Sequence, residues 1–396
     1  APADDTERRL AHIWEQVLGQ SDIGTQTSFF NLGGNSLKII RMGQMVNKEF
    51  NTTFTTEKHH NGRKGSRPVY ILKMKKPIAI IGMGLMAGDA DNPETFWQFV
   101  AQGRRGFNTL SAIRQQDITD RFGPCEITRG GYLYRVDLFD HHYFNISQAE
   151  AVRMDQEQRL LLTCAVKAVH NAGYRVSELK AREIGVFHTY GLTRYSSFFD
   201  DTDEYAANAH HAGMGGARIA AFMDWRGPVL SINTACSSSL SALYYACESI
   251  AAGDCTMALA AGANLGVVAR ATGKAVPSVI SQEGAGVEKA ILGEGVFCFL
   301  LKDAAAAIRD QDPIHAVIRG GAINHAGGRS QDIDIPSPAA QGEVIRKAWK
   351  NRGTDPARIR FIETKGTGNI MGDRLEFSGL AAAFEGLAAS TWFIYL

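Results

Sequence analysis

The sequence predicts an α/β protein preceded by a small all-α helical bundle, and three observations support this. Short apolar runs at residues 257–261, 296–301 and 316–318 alternate with stretches whose apolar residues recur at helical spacing. The 41 glycines among 396 residues fit the many tight turns of α/β enzymes. Residues 1–55 show helical spacing alone and precede a basic stretch without apolar periodicity. The length allows two or three domains.

The composition is that of an ordinary soluble globular protein. Hydrophobic residues make up 45% and charged residues 21%, and the formal net charge is +1. Such a balance gives no bulk attraction to nucleic acid or to an anionic membrane. No apolar run approaches the length of a membrane span, and no signal peptide is apparent. Six cysteines without paired metal spacing indicate a reducing compartment. We therefore expect a cytoplasmic protein with no metal, nucleic-acid or membrane partner.

Residues 1–55 form the first predicted domain. One helix has an apolar face and ends at Gly19, and a second helix begins at Ser36. The residues of the first face are Leu10, Ile13, Trp14, Val17 and Leu18. Between the helices, Phe29, Phe30 and Leu32 are suited to anchoring a loop, and two glycines follow. Taken alone, a serine at Ser36 is most often a helix N-cap.

The string FFNLGGNSL at residues 29–37 resembles the phosphopantetheine attachment site of carrier domains. By that resemblance Ser36 carries a 4'-phosphopantetheine arm, on either an acyl or a peptidyl carrier. The carrier looks shortened on its C-terminal side. Residues 56–76 include a basic run without apolar period, which we interpret as a solvated linker. A metal site at His59 and His60 is not expected, because further ligands are missing.

Residues 77–87 read as a buried strand that contains the pattern G-x-G-x-x-A. Such glycines after a strand can cradle a dinucleotide, but that site also needs a helix opening at once. Here a loop follows from Asp89, and a helix starts near Glu94. We therefore predict that Gly82 and Gly84 have a structural role.

Residues 229–240 contain the candidate catalytic residue, Cys236. Residues 229–233 alternate as a short strand, helical spacing starts at Cys236, and Gly253 follows as a stop. Cys236 is therefore expected on the first turn of a helix, where free N–H groups and the helix dipole favour a thiolate. Small neighbours leave room for a substrate. The competing interpretation is a buried structural cysteine.

The string RGPVLSINTACSSSL at residues 226–240 resembles the active-site segment of ketosynthase domains from modular polyketide synthases. In that family the cysteine takes an acyl chain from a carrier-bound thioester, so the resemblance makes Cys236 the nucleophile. Residues 91–97 and 147–162 also match, with Gln156 where proline is usual. The resemblance implies a thiolase-like, duplicated α/β/α/β/α fold over residues 77–396, a homodimer, and neighbouring synthase modules as partners. We expect the C-terminal part of this domain to be missing.

The chain departs from the ketosynthase pattern at its catalytic histidines. One family histidine lies in the motif EAHGTGT, which reads ETKGTGN at residues 363–369, so Lys365 takes its place. Asn369 and Arg374 are further replacements, and the second histidine motif is not found. Of an aspartate-rich family stretch that ends in GEG, only GEG at residues 293–295 is recognisable. His325 is not one of the catalytic pair, and we interpret it as structural or pocket-lining.

Three functions follow from these observations. The first is a carrier–ketosynthase segment that accepts acyl groups on Cys236 and passes them on without elongation, because decarboxylation looks disabled. The second is a condensing beta-ketoacyl synthase whose missing parts lie outside this chain. The third is a docking or scaffold protein without turnover, as the eroded motifs would allow.

Overall fold

The computed structural model describes most of the chain, in ranges separated by gaps. These are residues 5–20, 36–50, 54–59, 69–74, 76–104, 106, 108–124, 127, 130–191, 195–200, 205–266, 293–330, 332, 335–350, 355–366, 370–385 and 393–395. Across these ranges, no helix is both long and apolar enough to cross a membrane.

The N-terminal unit is a pair of packed helices, α1 (Asp5–Leu18) and α2 (Ser36–Phe50). Their buried side chains are Ile13, Val17, Leu18, Met42 and Val46. Burial of these apolar positions is what an amphipathic helix pair requires, and it confirms the predicted helix face. The α1 helix ends at Gly19, whose φ of 74° lies in the left-handed region. The predicted loop at Phe29, Phe30 and Leu32 lies outside the described residues.

Two short strands follow the helices. Strand β1 (Phe54–His59) pairs antiparallel with β2 (Val69–Met74), and Phe54 lies opposite Met74. These strands cover much of the stretch interpreted as a linker, which therefore contains paired backbone. The sequence pattern does not predict β1, because this strand carries one apolar residue among polar neighbours.

The second part is built on a mixed six-stranded sheet with the order β5-β4-β6-β7-β3-β8. Strand β4 is parallel to β5 and β6, whereas β7 is antiparallel to both β6 and β3. The strands are β3 (Ile78–Ala87), β4 (Ile184–His188), β5 (Val229–Ser231), β6 (Met257–Asn264), β7 (Gly295–Asp303) and β8 (Ala316–Ile318). The apolar runs that the sequence analysis singled out as strands are confirmed.

Helices cover both faces of this sheet, which gives the layered α/β arrangement. They are α3 (Pro93–Ala101), α4 (Ala112–Phe122), α5 (Gln148–Arg153), α6 (Gln156–Asn171), α7 (Ala206–Ala209), α8 (Met214–Met223), α9 (Ser238–Ala252) and α10 (Ala304–Arg309). The core on one face is built around α6, and the core on the other around α9.

Two glycines of β3 allow α6 to approach the sheet closely. A Cβ on Gly82 would lie 2.2 Å from the carbonyl oxygen of Ala168, and one on Gly84 would lie 2.3 Å from that of Cys164. Any side chain at either position would collide with the α6 backbone. This accounts for the G-x-G pattern without a cofactor and supports the structural interpretation of these glycines.

After β8 the chain forms two further helices and a separate strand pair. Helix α11 (Pro338–Lys350) packs on α12 (Ile370–Phe384), where Gly342 and Gly379 allow close approach. Strand β9 (Phe361–Glu363) is parallel to β10 (Phe393–Tyr395). Lys365 follows shortly after β9.

Candidate active site

Cys236 lies in a tight turn between a strand and a helix. Strand β5 ends at Ser231, a 3-10 turn spans Ala235–Ser237, and α9 begins at Ser238. Ala235, immediately before the cysteine, has a φ of 55°, in the left-handed region that a residue with a Cβ rarely adopts. This backbone presents Cys236 to solvent, which excludes the buried structural cysteine as an interpretation.

Cys236 differs in this respect from the other described cysteines. Cys164, Cys247, Cys255 and Cys298 are all buried, whereas Cys236 is exposed. Burial raises the pKa of the Cys255 and Cys298 thiols. Since the thiolate is the reacting form, these buried thiols are poor nucleophiles. Within the described part of the chain, Cys236 is therefore the cysteine that a substrate can reach.

Side-chain hydrogen bonds hold the Cys236 turn in shape. The Ser238 hydroxyl donates to the Ala235 carbonyl at 2.6 Å and accepts from the Thr234 N–H at 2.9 Å. The Ser237 hydroxyl donates to the Thr234 carbonyl at 2.8 Å. The run of serines around the cysteine thus pairs the backbone of a turn that has little regular hydrogen bonding of its own.

The neighbouring strands support the same turn. The Ile232 N–H donates to the His188 carbonyl at 2.8 Å, which ties the segment after β5 to the end of β4. On β6, a Cβ at Gly262 would lie 2.9 Å from the Ser239 hydroxyl and 3.1 Å from that of Thr189. The first turn of α9 therefore rests closely on the ends of β4 and β6.

The His188 side chain is buried beneath α8. Its Nε2 accepts the Gly216 N–H at 3.2 Å, which requires a neutral ring at that nitrogen. Burial lowers the pKa of His188 to about 4. The sequence predicts no role for this histidine, because a lone histidine at the end of an apolar strand carries no distinctive signal.

Helical spacing in α9 predicts an apolar face of Leu240, Leu243, Tyr244, Cys247 and Ala251, of which Cys247 is buried. The spacing favours Leu240, but its side chain is 74% exposed. The buried positions include the small residues Ala242 and Ala246 together with Ile250. Small side chains bring α9 close to the sheet. The larger ones, Leu240 and Leu243, line an apolar cleft of about 310 Å³ toward β8 and α11.

Lys365 is exposed, and a carboxylate fixes its backbone. The N–H groups of Lys365 and Gly366 donate to the two oxygens of Glu376 on α12, at 2.9 and 3.2 Å. Gly366 has a φ of 55°, so the chain turns sharply here. Among the described residues, no hydrogen bond joins Lys365 to Cys236. Asn369, the other replaced position of this motif, lies outside the described residues.

Two other predicted positions have local roles. His325 is exposed, and its Nδ1 accepts the Gly327 N–H at 2.9 Å, so the ring caps a turn. This geometry favours the structural interpretation of His325 over pocket lining. Arg374 lies within α12, and the Ser378 hydroxyl donates to its carbonyl oxygen at 2.8 Å.

Ser36 is the first residue of α2, as the motif predicts. The free N–H groups at a helix N-terminus favour a phosphate group, and the first turn of α2 carries no acidic residue that would repel one. The position therefore fits a phosphodiester-linked arm. The preceding glycines lie outside the described residues.

Glu157 is a residue of interest that the sequence analysis missed. Its carboxylate accepts the Gly191 N–H at 2.7 Å and the Leu265 N–H at 2.8 Å, and its side chain is fully buried. Burial and the neighbouring Asp155 raise the pKa of Glu157 to about 8. The available signal was in residues 155–159, which read DQEQR where the ketosynthase segment reads DPQQR, so that Glu157 is a second replacement beside Gln156.

Family models account for nearly all of the described chain. The N-terminal domain of beta-ketoacyl synthase matches residues 75–307, and its C-terminal domain matches residues 315–394. The phosphopantetheine attachment site matches residues 8–58. The expectation that the C-terminal part of the ketosynthase is missing is therefore wrong, because that domain is represented in the chain.

Related proteins are large synthases of which this chain matches a small share. Polyketide synthase PksN of Bacillus subtilis is 35% identical over 334 residues, which are 80% of this chain and 6% of PksN. Polyketide synthase ThaG of Burkholderia thailandensis is 36% identical over 326 residues, which are 78% of this chain and 6% of ThaG.

Solved ketosynthases share the fold. The oxazolomycin ketosynthase domain of Streptomyces albus superposes with a TM-score of 0.71 at 29% identity, covering 81% of this chain and 58% of that domain. The ketosynthase from module 6 of the bacillaene synthase of Bacillus subtilis gives 0.69 at 27% identity, with 80% and 56% covered. The fold is thus thiolase-like, as expected. The chain belongs to the beta-ketoacyl synthase family and joins a phosphopantetheine carrier domain to a ketosynthase domain of the modular polyketide synthase type.

Proposed function

We propose that this segment transfers acyl groups between carriers through Cys236 and does not elongate them. The observation that carries the proposal is that two features occur in one chain. Cys236 is exposed in a strained turn, and an exposed lysine, Lys365, stands at the position of a family histidine. The cysteine can accept an acyl chain. The lysine does not supply the chemistry that decarboxylation needs.

The transfer is a thioester exchange at Cys236. Its sulfur forms a bond to the acyl carbonyl carbon of a carrier-bound thioester, and the bond from that carbon to the carrier sulfur breaks. The proton lost by the cysteine goes to the leaving sulfur, so the exchange balances without an oxidant or reductant. The first turn of α9 has backbone N–H groups without helical partners, and these favour negative charge on the carbonyl oxygen. The small side chains of Ala235 and Ser237 leave the approach open.

Elongation makes a different demand on the site. When a malonyl group loses carbon dioxide, negative charge develops on the thioester oxygen, and a neutral imidazole can donate to it. A lysine ammonium is a compact, strongly hydrated charge on a flexible stem. Lys365 is exposed, so its head is not held in a dry site aimed at that oxygen. We infer that acyl capture is allowed and that decarboxylation is disabled.

The carrier part of the proposal rests on Ser36. This residue starts α2, where the phosphodiester of the arm would meet the helix N-terminus. When bound, the arm supplies a terminal thiol that carries an acyl chain as a thioester. We propose that the carrier occupies residues 1–55 and presents this thiol to a ketosynthase site, in this chain or in a neighbouring module.

We also propose that the ketosynthase part forms a two-fold dimer. Strand β5 lies at the edge of the six-stranded sheet, with Val229 and Leu230 40% and 44% exposed. An apolar edge strand is suited to pairing with a second copy. Light scattering should give a dimer mass for the wild type and a lower mass for Leu230→Lys. A monomeric wild type at micromolar concentration would contradict this proposal.

Acyl capture is tested by intact-protein mass spectrometry with an acyl thioester donor. The wild type should gain one acyl group, and Cys236→Ala should gain none, since the other described cysteines are buried. Cys125→Ser, which removes a cysteine outside the described residues, is the matched control and should load like the wild type. Equal loading of wild type and Cys236→Ala would contradict the proposal. No loading of either would favour a scaffold, and a longer acyl product formed with malonyl carrier would favour a condensing enzyme.

A further inference from the structure

The buried carboxylate of Glu157 joins two backbone segments at the carboxyl ends of strands β4 and β6, the end of the sheet where Cys236 also lies. Glu157 Oε2 accepts the Gly191 N–H, and Oε1 accepts the Leu265 N–H, at 2.7 and 2.8 Å. Gly191 follows β4 and Leu265 follows β6, and these two strands are adjacent and parallel. Glu157, at the start of α6, thus fixes the chain just beyond both strands.

The ends of β4 and β6 also contact the first turn of α9, next to Cys236. A Cβ at Gly262 would lie closer than ordinary van der Waals contact to both Ser239 and Thr189, at 2.9 and 3.1 Å from their hydroxyl oxygens. Thr189 lies shortly before Gly191 on the chain, and Gly262 lies shortly before Leu265. The segments that Glu157 holds are therefore continuous with the surface on which the first turn of α9 rests.

We propose that Glu157 is a positioning residue for acyl transfer at Cys236. Its ionised carboxylate holds the ends of β4 and β6 at the spacing that seats the Cys236 turn. Glu157 does not contact the substrate and transfers no proton to it. The inference rests on the proposed acyl transfer, and it names a further residue on which the rate of that transfer depends.

The two hydrogen bonds that Glu157 accepts, from the N–H groups of Gly191 and Leu265, require an ionised carboxylate. Two backbone N–H groups point at the two oxygens, and an ionised carboxylate accepts at both. A protonated carboxyl or an amide carries hydrogen on one of these atoms, which weakens or breaks one contact. Gly191 permits the short approach, because a Cβ there would lie 2.6 Å from Oε1.

The charge of Glu157 changes in an accessible pH range. Burial is the largest cause that raises its pKa to about 8, and Asp155 is the next, while the two N–H groups act in the opposite direction. Glu294, immediately before β7, also raises the pKa of Glu157 and is itself paired with Arg114. The residues that contact Glu157 from the other two segments, Gly191 and Leu265, have no titratable side chain. The two contacts are thus strongest above about pH 8.

The test compares acylation rates of wild type and Glu157→Gln, with hexanoyl-N-acetylcysteamine as donor and intact mass as readout. Ionisation of the Cys236 thiol affects both proteins, so the ratio of their rates isolates Glu157. The ratio should be near one at about pH 6, and the wild type should be about five- to tenfold faster at about pH 9.5. A ratio that stays constant with pH would leave only a structural role and overturn the proposal.

The matched control is Asp312→Asn. Asp312 is a buried carboxylate that accepts a hydrogen bond from Lys302 at 2.6 Å. Lys302 lies near the end of β7, whereas Glu294 precedes its start. This variant should lose stability in urea, yet its rate ratio to wild type should not change with pH. A pH-dependent ratio for Asp312→Asn as well would show that general destabilisation produces the effect, and the proposal would fail.

Two further readouts separate this inference from the proposed function. If the wild type is not acylated, the proposed acyl transfer fails, but the positioning role can still be tested. The rate at which iodoacetamide alkylates Cys236 is then measured instead, and the ratio of wild type to Glu157→Gln should change with pH in the same way. If Glu157→Gln does not fold, hydrogen exchange of the wild type decides. The Leu265 amide should gain protection, after correction for intrinsic exchange, as the pH rises through about 8. No gain would overturn the proposal.

Discussion

The guanidinium of Arg114 lies against the carboxylate of Glu294 through two parallel hydrogen bonds of 2.7 and 2.9 Å. Both side chains are nearly buried, 8% and 2% exposed. Arg114 also donates to the Leu133 carbonyl at 2.6 Å, and Glu294 accepts the Leu133 N–H at 3.1 Å. The pair ties α4 and the segment around Leu133 to the start of β7. Glu294, the acidic residue of the GEG string at residues 293–295, therefore has a structural role in this ion pair.

The first prediction is that Glu294→Ala destabilises the ketosynthase part by about 3–5 kcal/mol, because it leaves the Arg114 charge buried without a partner. Urea denaturation followed by tryptophan fluorescence measures this. The control is Asp137→Ala, which removes an exposed ion pair with Arg135 and should cost less than about 1 kcal/mol. If both variants lose a similar amount of unfolding free energy, burial does not account for the effect of Glu294→Ala, and the prediction is wrong.

A second prediction concerns the close contact of β3 with α6. Gly82→Ala places a Cβ 2.2 Å from the Ala168 carbonyl oxygen, so the helix must shift. We expect a loss of about 3 kcal/mol or more in the free energy of unfolding. Gly106→Ala, where an added Cβ meets no atom within 4 Å, is the control and should be nearly neutral. A neutral Gly82→Ala would refute the packing explanation of the G-x-G pattern.

The third prediction is a pH dependence of stability from His188. Burial lowers the pKa of His188 to about 4 from an ordinary value of 6.5, so between these values the unfolded chain binds the extra proton. The contribution of His188 is therefore complete above about pH 6.5 and is lost as the pH falls toward 4, by about 3 kcal/mol in total. Unfolding free energies in urea at several pH values measure the slope.

His188→Gln is the informative variant, because an amide oxygen can still accept the Gly216 N–H but does not titrate. Its stability should fall less steeply than that of the wild type over the same pH range. If the two slopes are equal, another group is responsible for the acid sensitivity.

The fourth prediction is that a phosphopantetheinyl transferase adds one arm to the wild type and none to Ser36→Ala. The reason is the position of Ser36 at the start of α2, within the attachment-site match. Mass spectrometry detects the added arm. Ser28→Ala, which removes another serine of the same segment, should be labelled like the wild type. Equal labelling of wild type and Ser36→Ala would place the attachment elsewhere.

Much of the fold follows from local pattern. The strands β6, β7 and β8 coincide with apolar runs, and α9 stops at Gly253, whose φ of 88° suits a glycine. The Cys236 turn also appears where a strand-like pattern changes to a helical one. These features depend on neighbouring residues in the chain, so a sequence displays them directly.

The features that escaped prediction depend on residues far apart in the chain. Arg114 and Glu294 are 180 positions apart, and no local pattern pairs them. The exposure of Leu240 follows from how α9 packs through small residues, which helical spacing alone does not reveal. In the sequence, Glu157 resembles a surface residue at the start of a helix. Only the structure shows that the segments after β4 and β6 donate hydrogen bonds to its carboxylate.

The measurement that tests the central claim most directly is carbon dioxide release from a malonyl-loaded carrier by protein acylated on Cys236. We predict that acyl-Cys236 forms and that release stays at the level of Cys236→Ala, because Lys365 replaces the imidazole donor. Lys365→His should restore little release in this chain, in which the second histidine motif is not found. Release by the wild type about a hundredfold or more above Cys236→Ala would contradict the claim and make the protein a condensing enzyme.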